Sequence, residues 1–165
     1  MAEINFEELK QKHLRDVLNI YTYYVLNTTA TFHECAISAK EMGELVFFDK
    51  PKYKTFVITE DGQVIGYVIL SPYKKREAYN DTAEIAVYLR QDKLGQGLGS
   101  NAVSFIENHA RAKGVHVLIA TICGENNRSI RVFEKNGFFK CAHYQEVGRK
   151  FGKLLDVVAY QKILS

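Results

Sequence analysis

The segment Leu94-Gly95-Gln96-Gly97-Leu98-Gly99-Ser100 constrains this chain more than any other. Before it stands a strand-like run, Ile85-Ala86-Val87-Tyr88-Leu89. After it, apolar residues at Leu98, Ala102, Phe105, Ile106 and Ala110 follow helical spacing. A strand, a glycine-rich turn and a helix in series make a place for an anion. Glycine lets the backbone come close to a ligand, and the open N–H groups and positive dipole end of the helix face it. A pyrophosphate is the anion that such a turn suits best.

The spacing decides which pyrophosphate. A P-loop needs a lysine after its glycines, and none follows here. A dinucleotide fingerprint needs Gly-x-Gly-x-x-Gly, whereas the third glycine comes one residue early at Gly99 and the turn sits in mid-chain. In every position but the first, the segment resembles the Arg/Gln-x-x-Gly-x-Gly/Ala acetyl-CoA loop of the GNAT superfamily of N-acetyltransferases. Taken alone, the stretch is also compatible with a turn that only opens a helix.

At 165 residues the chain is expected to form one domain, spanning 1–165, with a substantial core. A net charge of +3 is too mild, and its basic residues too dispersed, for a nucleic-acid partner. No apolar run reaches the length of a membrane span. Cys35, Cys123 and Cys141 are odd in number and far apart, with neither disulfide nor metal-ligand spacing. Reduced thiols in a cytoplasm are the expected state, and no metal is indicated. Met1-Ala2-Glu3-Ile4-Asn5 lacks the basic and apolar regions of a signal peptide.

In chain order, residues 3–7 alternate as a half-buried strand, and Leu14, Val17, Leu18, Tyr21 and Val25 mark a helix over 12–27. Residues 29–35 read as a loop or a short extended piece carrying Phe32 and His33. Ser38 and Glu41 form a capping box for a second helix ending near Phe48, before Pro51. Strands at 53–59 and 64–70 flank an Asp61-Gly62 hairpin turn. A polar loop, 73–81, leads into the strand ending at Leu89. The near-continuous apolar run 115–122 predicts a central strand buried on both faces. Residues 126–135 form a helix closed by Asn136-Gly137, and strands near 139–147 and 154–163 complete the chain.

This order, βααβββαβαββ, predicts an α/β fold with a central mixed sheet and helices on both faces. It is also the GNAT order, so the resemblance spans nearly the whole chain. Three segments narrow it: Asn27-Thr28-Thr29-Ala30-Thr31-Phe32, Tyr79-x-x-Thr82-x-Glu84-x-x-Val87-Tyr88, and Gly148-x-Lys150-Phe151-Gly152-x-x-x-Asp156. They are similar to phosphinothricin and methionine sulfoximine N-acetyltransferases. That resemblance implies acetyl-CoA as cosubstrate and a small amino acid or amino-acid analogue as acceptor.

It also implies roles. Gly95, Gln96, Gly97, Leu98, Gly99 and Ser100 would hold the pyrophosphate through backbone amides. Val87, Tyr88 and Leu89 would splay from the neighbouring strand and pair with the pantetheine arm, and a backbone N–H near Val87 or Tyr88 would meet the carbonyl oxygen. Asn126 and Ser129 match an Asn-x-x-Ser that contacts the cofactor, although Asn126 also suits a helix N-cap.

Acetyl transfer to an amine needs a base, because an α-amino group with a pKa of roughly 8 is mostly protonated at neutral pH. Glu84 matches the family glutamate thought to take that proton; without the match, a lone strand glutamate reads as a solvent-facing residue. The loop carrying Lys75, Arg76, Ala78 and Tyr79 resembles the family's substrate loop. Lys75 or Arg76 would hold an anionic group of the acceptor there, and the plain alternative is a solvated basic loop. Phe32, Tyr79, Lys150 and Phe151 would wall the acceptor pocket, and a homodimer is implied by resemblance alone.

Departures from the family are specific. Leu94 stands at the loop's Arg/Gln position, with Lys93 and Gln96 the nearest side chains able to compensate. Phe133 stands where many relatives have a thiolate-protonating tyrosine, and Leu154 and Leu155 replace bulkier pocket residues. The first two motivate an alternative, a module that senses acyl-CoA without turnover.

Overall fold

A computed structural model describes residues 2–164. Its strands are β1 (Ile4–Glu8), β2 (Lys54–Glu60), β3 (Gln63–Pro72), β4 (Thr82–Leu89), β5 (Val117–Cys123), β6 (Phe139–Lys150) and β7 (Lys153–Ile163). They form one seven-stranded sheet in the order β1-β2-β3-β4-β5-β7-β6. Each neighbouring pair is antiparallel except β4–β5, which is parallel. The two-residue turn between β2 and β3 places Asp61 at φ 49° and Gly62 at φ 85°, the left-handed pair that lets a tight hairpin follow the strand twist.

The helices are α1 (Leu14–Asn27), α2 (Ala39–Val46), α3 (Leu98–Ala112) and α4 (Asn127–Lys135). On one face, α1 turns Val17, Ile20, Tyr21, Tyr24 and Val25 onto Val57, Tyr67 and Ile69 of the sheet, joined by Met42 and Val46 of α2. On the other, Leu98, Ala102, Val103, Ile106 and Ala110 of α3 pack with Val68, Leu70, Ile85 and Leu118. Each large apolar side chain so buried is worth about 1.5–3 kcal/mol relative to exposure. The stripe on α3 also stacks Phe105 against Phe6 of β1, with ring centroids 4.3 Å apart.

Local chemistry sets the ends of these helices. Ser38 Oγ accepts from the Glu41 amide and Glu41 Oε1 accepts from the Ser38 amide, both at 3.1 Å, so the capping box forms as its sequence predicts. The helix it opens stops at Val46, two residues short of the expected end. Asn126 Oδ1 accepts from the Ser129 amide at 3.2 Å and caps α4. Gly137, at φ 88°, follows that helix in the left-handed conformation.

Two segments depart from expectation. Strand β6 runs three residues past Val147, through a bulge in which the register shifts between Tyr144 and Gly148 and Glu146 takes φ 55°. Asp156 of β7 fixes that bulge, accepting from the Glu146 amide and from His143 Nε2, both at 2.8 Å. Strand β5 is fully buried on one face only. Leu118, Ala120 and Ile122 lie under α3 and α4, whereas Thr121 on the opposite face is exposed and Val117 and Ile119 are partly covered. The reason is coverage: α1 and α2 lie over β2, β3 and β4, which leaves that face of β5 without a helix.

Candidate active site

Parallel pairing of β4 with β5 is confined to Thr82–Val117, Ala83–Leu118 and Glu84–Ile119. Beyond those positions the strands part, and a cleft of about 400 Å³ opens between them. Its walls come from both sides of the sheet. Tyr24, Thr28, Thr29 and Ala30 line it from the α1 side; Leu94, Gly99, Arg128, Val132 and Phe133 line it from the α3–α4 side. Ile85 to Leu89 of β4 and Ala120 to Ile122 of β5 form its edges. The cleft therefore passes through the sheet, with a different chemical surface at each mouth.

Val87, Tyr88 and Leu89 lie on the unpaired edge of β4, as the splay requires. The Leu89 carbonyl already accepts from the Tyr24 hydroxyl at 2.5 Å and is not left for a ligand. At the glycine-rich turn, Gly95 at φ 77° and Gly97 at φ 80° take left-handed torsions, and Gly97 caps α3. A Cβ on Gly97 would meet nothing within 4 Å, so its backbone is open to an incoming group. Gly99 packs on Val132 and lines the cleft. Leu98 is buried in the core, and Ser100 Oγ accepts from Asn136 Nδ2 at 3.0 Å. Their side chains are thus committed within the protein. Asn126 and Ser129 both line the cleft beside the start of α4.

The expected compensation for Leu94 does not form. Lys93 pairs with Glu60, and Gln96 turns its amide toward the Asp92 carbonyl, 3.5 Å away. Neither lines the cleft.

Glu84 sits at the fork itself, half-buried, on the same face of β4 as Ala86 and Tyr88. Burial pushes its carboxyl above the ordinary glutamate range, while the hydroxyl of Thr121 acts in the opposite direction. Around Tyr88 lies a polar cluster. Tyr21 Oη hydrogen-bonds to Thr31 Oγ1 at 2.6 Å and to His33 Nδ1, and Tyr67 stacks on Tyr88 with its own hydroxyl buried and unpartnered among the described residues. Burial raises the Tyr67 and Tyr88 hydroxyls well above the ordinary tyrosine range.

The expected acceptor residues flank this mouth without lining the cleft. Ser71, the β3 partner of Glu84, leads directly into the exposed loop holding Lys75, Arg76, Ala78 and Tyr79. Tyr79 meets Tyr73 edge-on there. Phe32 lies over Gly148, where a Cβ would stand 2.4 Å from its ring. Lys150 is buried, with Nζ donating to the Thr31 carbonyl at 2.8 Å, and Phe151 is exposed at the β6–β7 turn with φ 53°. Across the cleft mouth, Glu125 accepts from Thr29 Oγ1 at 2.6 Å and pairs with Lys153 at 2.9 Å, tying three elements together.

The family model for the acetyltransferase (GNAT) family matches residues 16–138. The chain belongs to that family. It is an acetyl-CoA-dependent N-acetyltransferase, and its fold is the GNAT fold. An L-methionine sulfoximine/L-methionine sulfone acetyltransferase of Pseudomonas aeruginosa is 33% identical over 152 residues, covering 90% of this chain and 87% of that one. A phosphinothricin N-acetyltransferase of Streptomyces coelicolor is 30% identical over 168 residues, covering 99% and 98%. Among solved structures, a GNAT superfamily phosphinothricin acetyltransferase from Sinorhizobium meliloti in complex with AcCoA superimposes with a TM-score of 0.92 at 30% identity, over 99% of this chain and 89% of that one.

Sequence reasoning passed over Tyr24, Thr121, Glu125 and Arg128. Thr121 carried a signal, as a polar residue inside the apolar run before Cys123. Arg128 carried another, as a cation in the first turn of a helix, where the dipole favours acids. Tyr24 and Glu125 carried none; their places follow from tertiary contacts.

Proposed function

We propose that this GNAT enzyme acetylates the amine of a small amino acid or amino-acid analogue, of the phosphinothricin or methionine sulfoximine kind, by direct transfer in a ternary complex. The observation that carries the reading is the cleft through the sheet. Gly99 of the glycine-rich turn lines it on the α3–α4 side, and Glu84, half-buried, stands at the fork where β4 and β5 part. A thioester entering from the α3–α4 side and an amine entering from the Glu84 side would meet between β4 and β5.

Acetyl-CoA fits the residues present. The backbone at Gly97, open within 4 Å, suits its pyrophosphate, the β4 edge that faces the cleft suits the amide-rich pantetheine arm, and Asn126 and Ser129 flank the path. The amine nitrogen attacks the carbonyl carbon and the C–S bond breaks, leaving an amide and the CoA thiolate. Glu84 takes the proton of the amine, directly or through water, and its raised pKa brings its basicity closer to neutral pH. A backbone N–H at Val87 or Tyr88 meets the carbonyl oxygen. Phe133, buried in the cleft wall, has no proton to give to the thiolate.

On the acceptor side, Phe32, Tyr79 and Phe151 supply apolar walls, and Lys75 or Arg76 supplies charge for a carboxylate. Ala78 belongs to the same loop. Lys150 positions the Thr31–Phe32 segment through its bond to the Thr31 carbonyl. Exposed Val147, Phe151 and Leu154 on the β6–β7 hairpin suit contact with a second copy, in a cytoplasmic homodimer.

Thiol release from acetyl-CoA, followed over a panel holding methionine sulfoximine, phosphinothricin and the common amino acids, tests the proposal. Turnover on at least one free amino acid or analogue is expected. Stabilisation by acetyl-CoA without thiol release on any amine would replace this reading with acyl-CoA sensing.

A further inference from the structure

Cations near the glycine-rich turn are few, and nearly all are neutralised within the protein. Arg90 donates through Nε and Nη2 to both carboxylate oxygens of Asp92, at 2.9 and 2.7 Å. Lys93 is paired with Glu60. Leu94, at the head of the turn, is apolar and packs against the core. Of all the lysines and arginines among the described residues, Arg128 alone lines the cleft.

Arg128 is exposed and has no hydrogen bond or ion pair among the described residues. Its Nη1 lies 3.8 Å from where a Cβ on Gly95 would stand, so the guanidinium rests against the backbone of the turn. Its position in the helix is electrostatically unfavourable. The first turn of α4 holds no acidic residue, and a cation there opposes the positive end of the dipole. An anion between Arg128, the turn and the start of α4 reverses that sign.

We infer that Arg128 is the cationic ligand of the cosubstrate's pyrophosphate, supplying from α4 the charge that the head of the turn lacks. The inference rests on acetyl-CoA occupying the cleft, as proposed above. A guanidinium suits the task, because its paired N–H donors match the spacing of phosphate oxygens. The glycine turn then contributes close approach and neutral donors, and Arg128 contributes the charge.

The test measures acetyl-CoA affinity of wild type and Arg128→Gln by calorimetry, with S-acetylpantetheine as a second donor lacking the pyrophosphate and nucleotide. Losing one charge-assisted contact should weaken acetyl-CoA binding by about 10- to 100-fold. The KM for S-acetylpantetheine should not change. Adding Leu94→Arg to the Arg128→Gln protein should restore most of the affinity, because it returns the charge from the other side. Equal acetyl-CoA affinity in wild type and variant would overturn the inference. So would an equal loss toward S-acetylpantetheine, which would make Arg128 a structural residue. An effect that vanishes with 3′-dephospho-acetyl-CoA would move the contact to the 3′-phosphate and overturn the assignment to the pyrophosphate. Failure of the wild type to bind acetyl-CoA would instead overturn the functional reading, and this inference with it.

Discussion

The ammonium of Lys150 donates to the main-chain carbonyl of Thr31 at 2.8 Å, joining residues 119 positions apart in the sequence. The side chain is 1% exposed and has no carboxylate within ion-pair distance among the described residues, and burial pushes its pKa below the ordinary lysine value. A buried charge with one carbonyl partner contributes little net stability, whereas the bond fixes the irregular segment that carries Phe32. Lys150→Met should therefore leave stability within about 1 kcal/mol of wild type. The KM for the acceptor should rise several-fold while acetyl-CoA affinity stays unchanged. The pH dependence also has a definite sign. Because the folded pKa is depressed, the folded protein sheds this proton first. Stability from this group therefore rises with pH between the folded pKa and about 10.5, and Lys150→Met removes that rise. Thermal melts across alkaline pH and acceptor kinetics read both effects.

Gly97 gives a cleaner test of the cosubstrate mouth. Its φ of 80° disfavours any side chain, yet a Cβ there meets nothing within 4 Å. Gly97→Val should fold with a penalty of about 1–2 kcal/mol from backbone strain. That corresponds to a fall in Tm of roughly 2–8 °C for a chain of this size. The methyl groups would cover the amides that face the pyrophosphate, so acetyl-CoA affinity should drop by at least about tenfold. A folded variant with native affinity would show that the turn is not a binding element.

The elements were legible because their signals are local. Ser38 with Glu41, Asp61-Gly62 and Asn136-Gly137 each fix a boundary through chemistry contained within a few residues, and each forms as read. The glycine turn was legible for the same reason. What could not be read is what depends on pairing between distant strands. Thr121 sits in a run that looks buried on both faces. It is exposed because β4 leaves β5 after Glu84 and no helix covers that side. The bulge at Glu146 escaped notice because its cause, the Asp156 carboxylate, lies across the hairpin. Arg128 was invisible for a further reason: its meaning comes from the ion pairs that remove Lys93 and Arg90 from consideration.

Glu84 should cost the protein stability at neutral pH. Its folded pKa is raised above the unfolded value of about 4.5, so the folded state holds the proton over a range where the unfolded state has lost it. Stability therefore falls as pH rises through that interval, and above it a partly desolvated carboxylate remains. Glu84→Gln should melt higher than wild type at pH 7.5, and the two should converge below about pH 4.5. Melting curves at the two pH values check this; a variant less stable than wild type at pH 7.5 would mean that the carboxylate holds the fork together.

The most direct test of the account is the pH–rate profile of Glu84→Gln acting on the best acceptor from the amine panel. If Glu84 accepts the amine proton, kcat near pH 7 should fall by about 10²–10⁴-fold with acetyl-CoA affinity nearly unchanged. Raising the pH toward the acceptor's own pKa should recover part of the loss, because more of the amine is then already neutral. Near-native turnover with an unchanged pH profile would contradict the account and remove Glu84 from the mechanism.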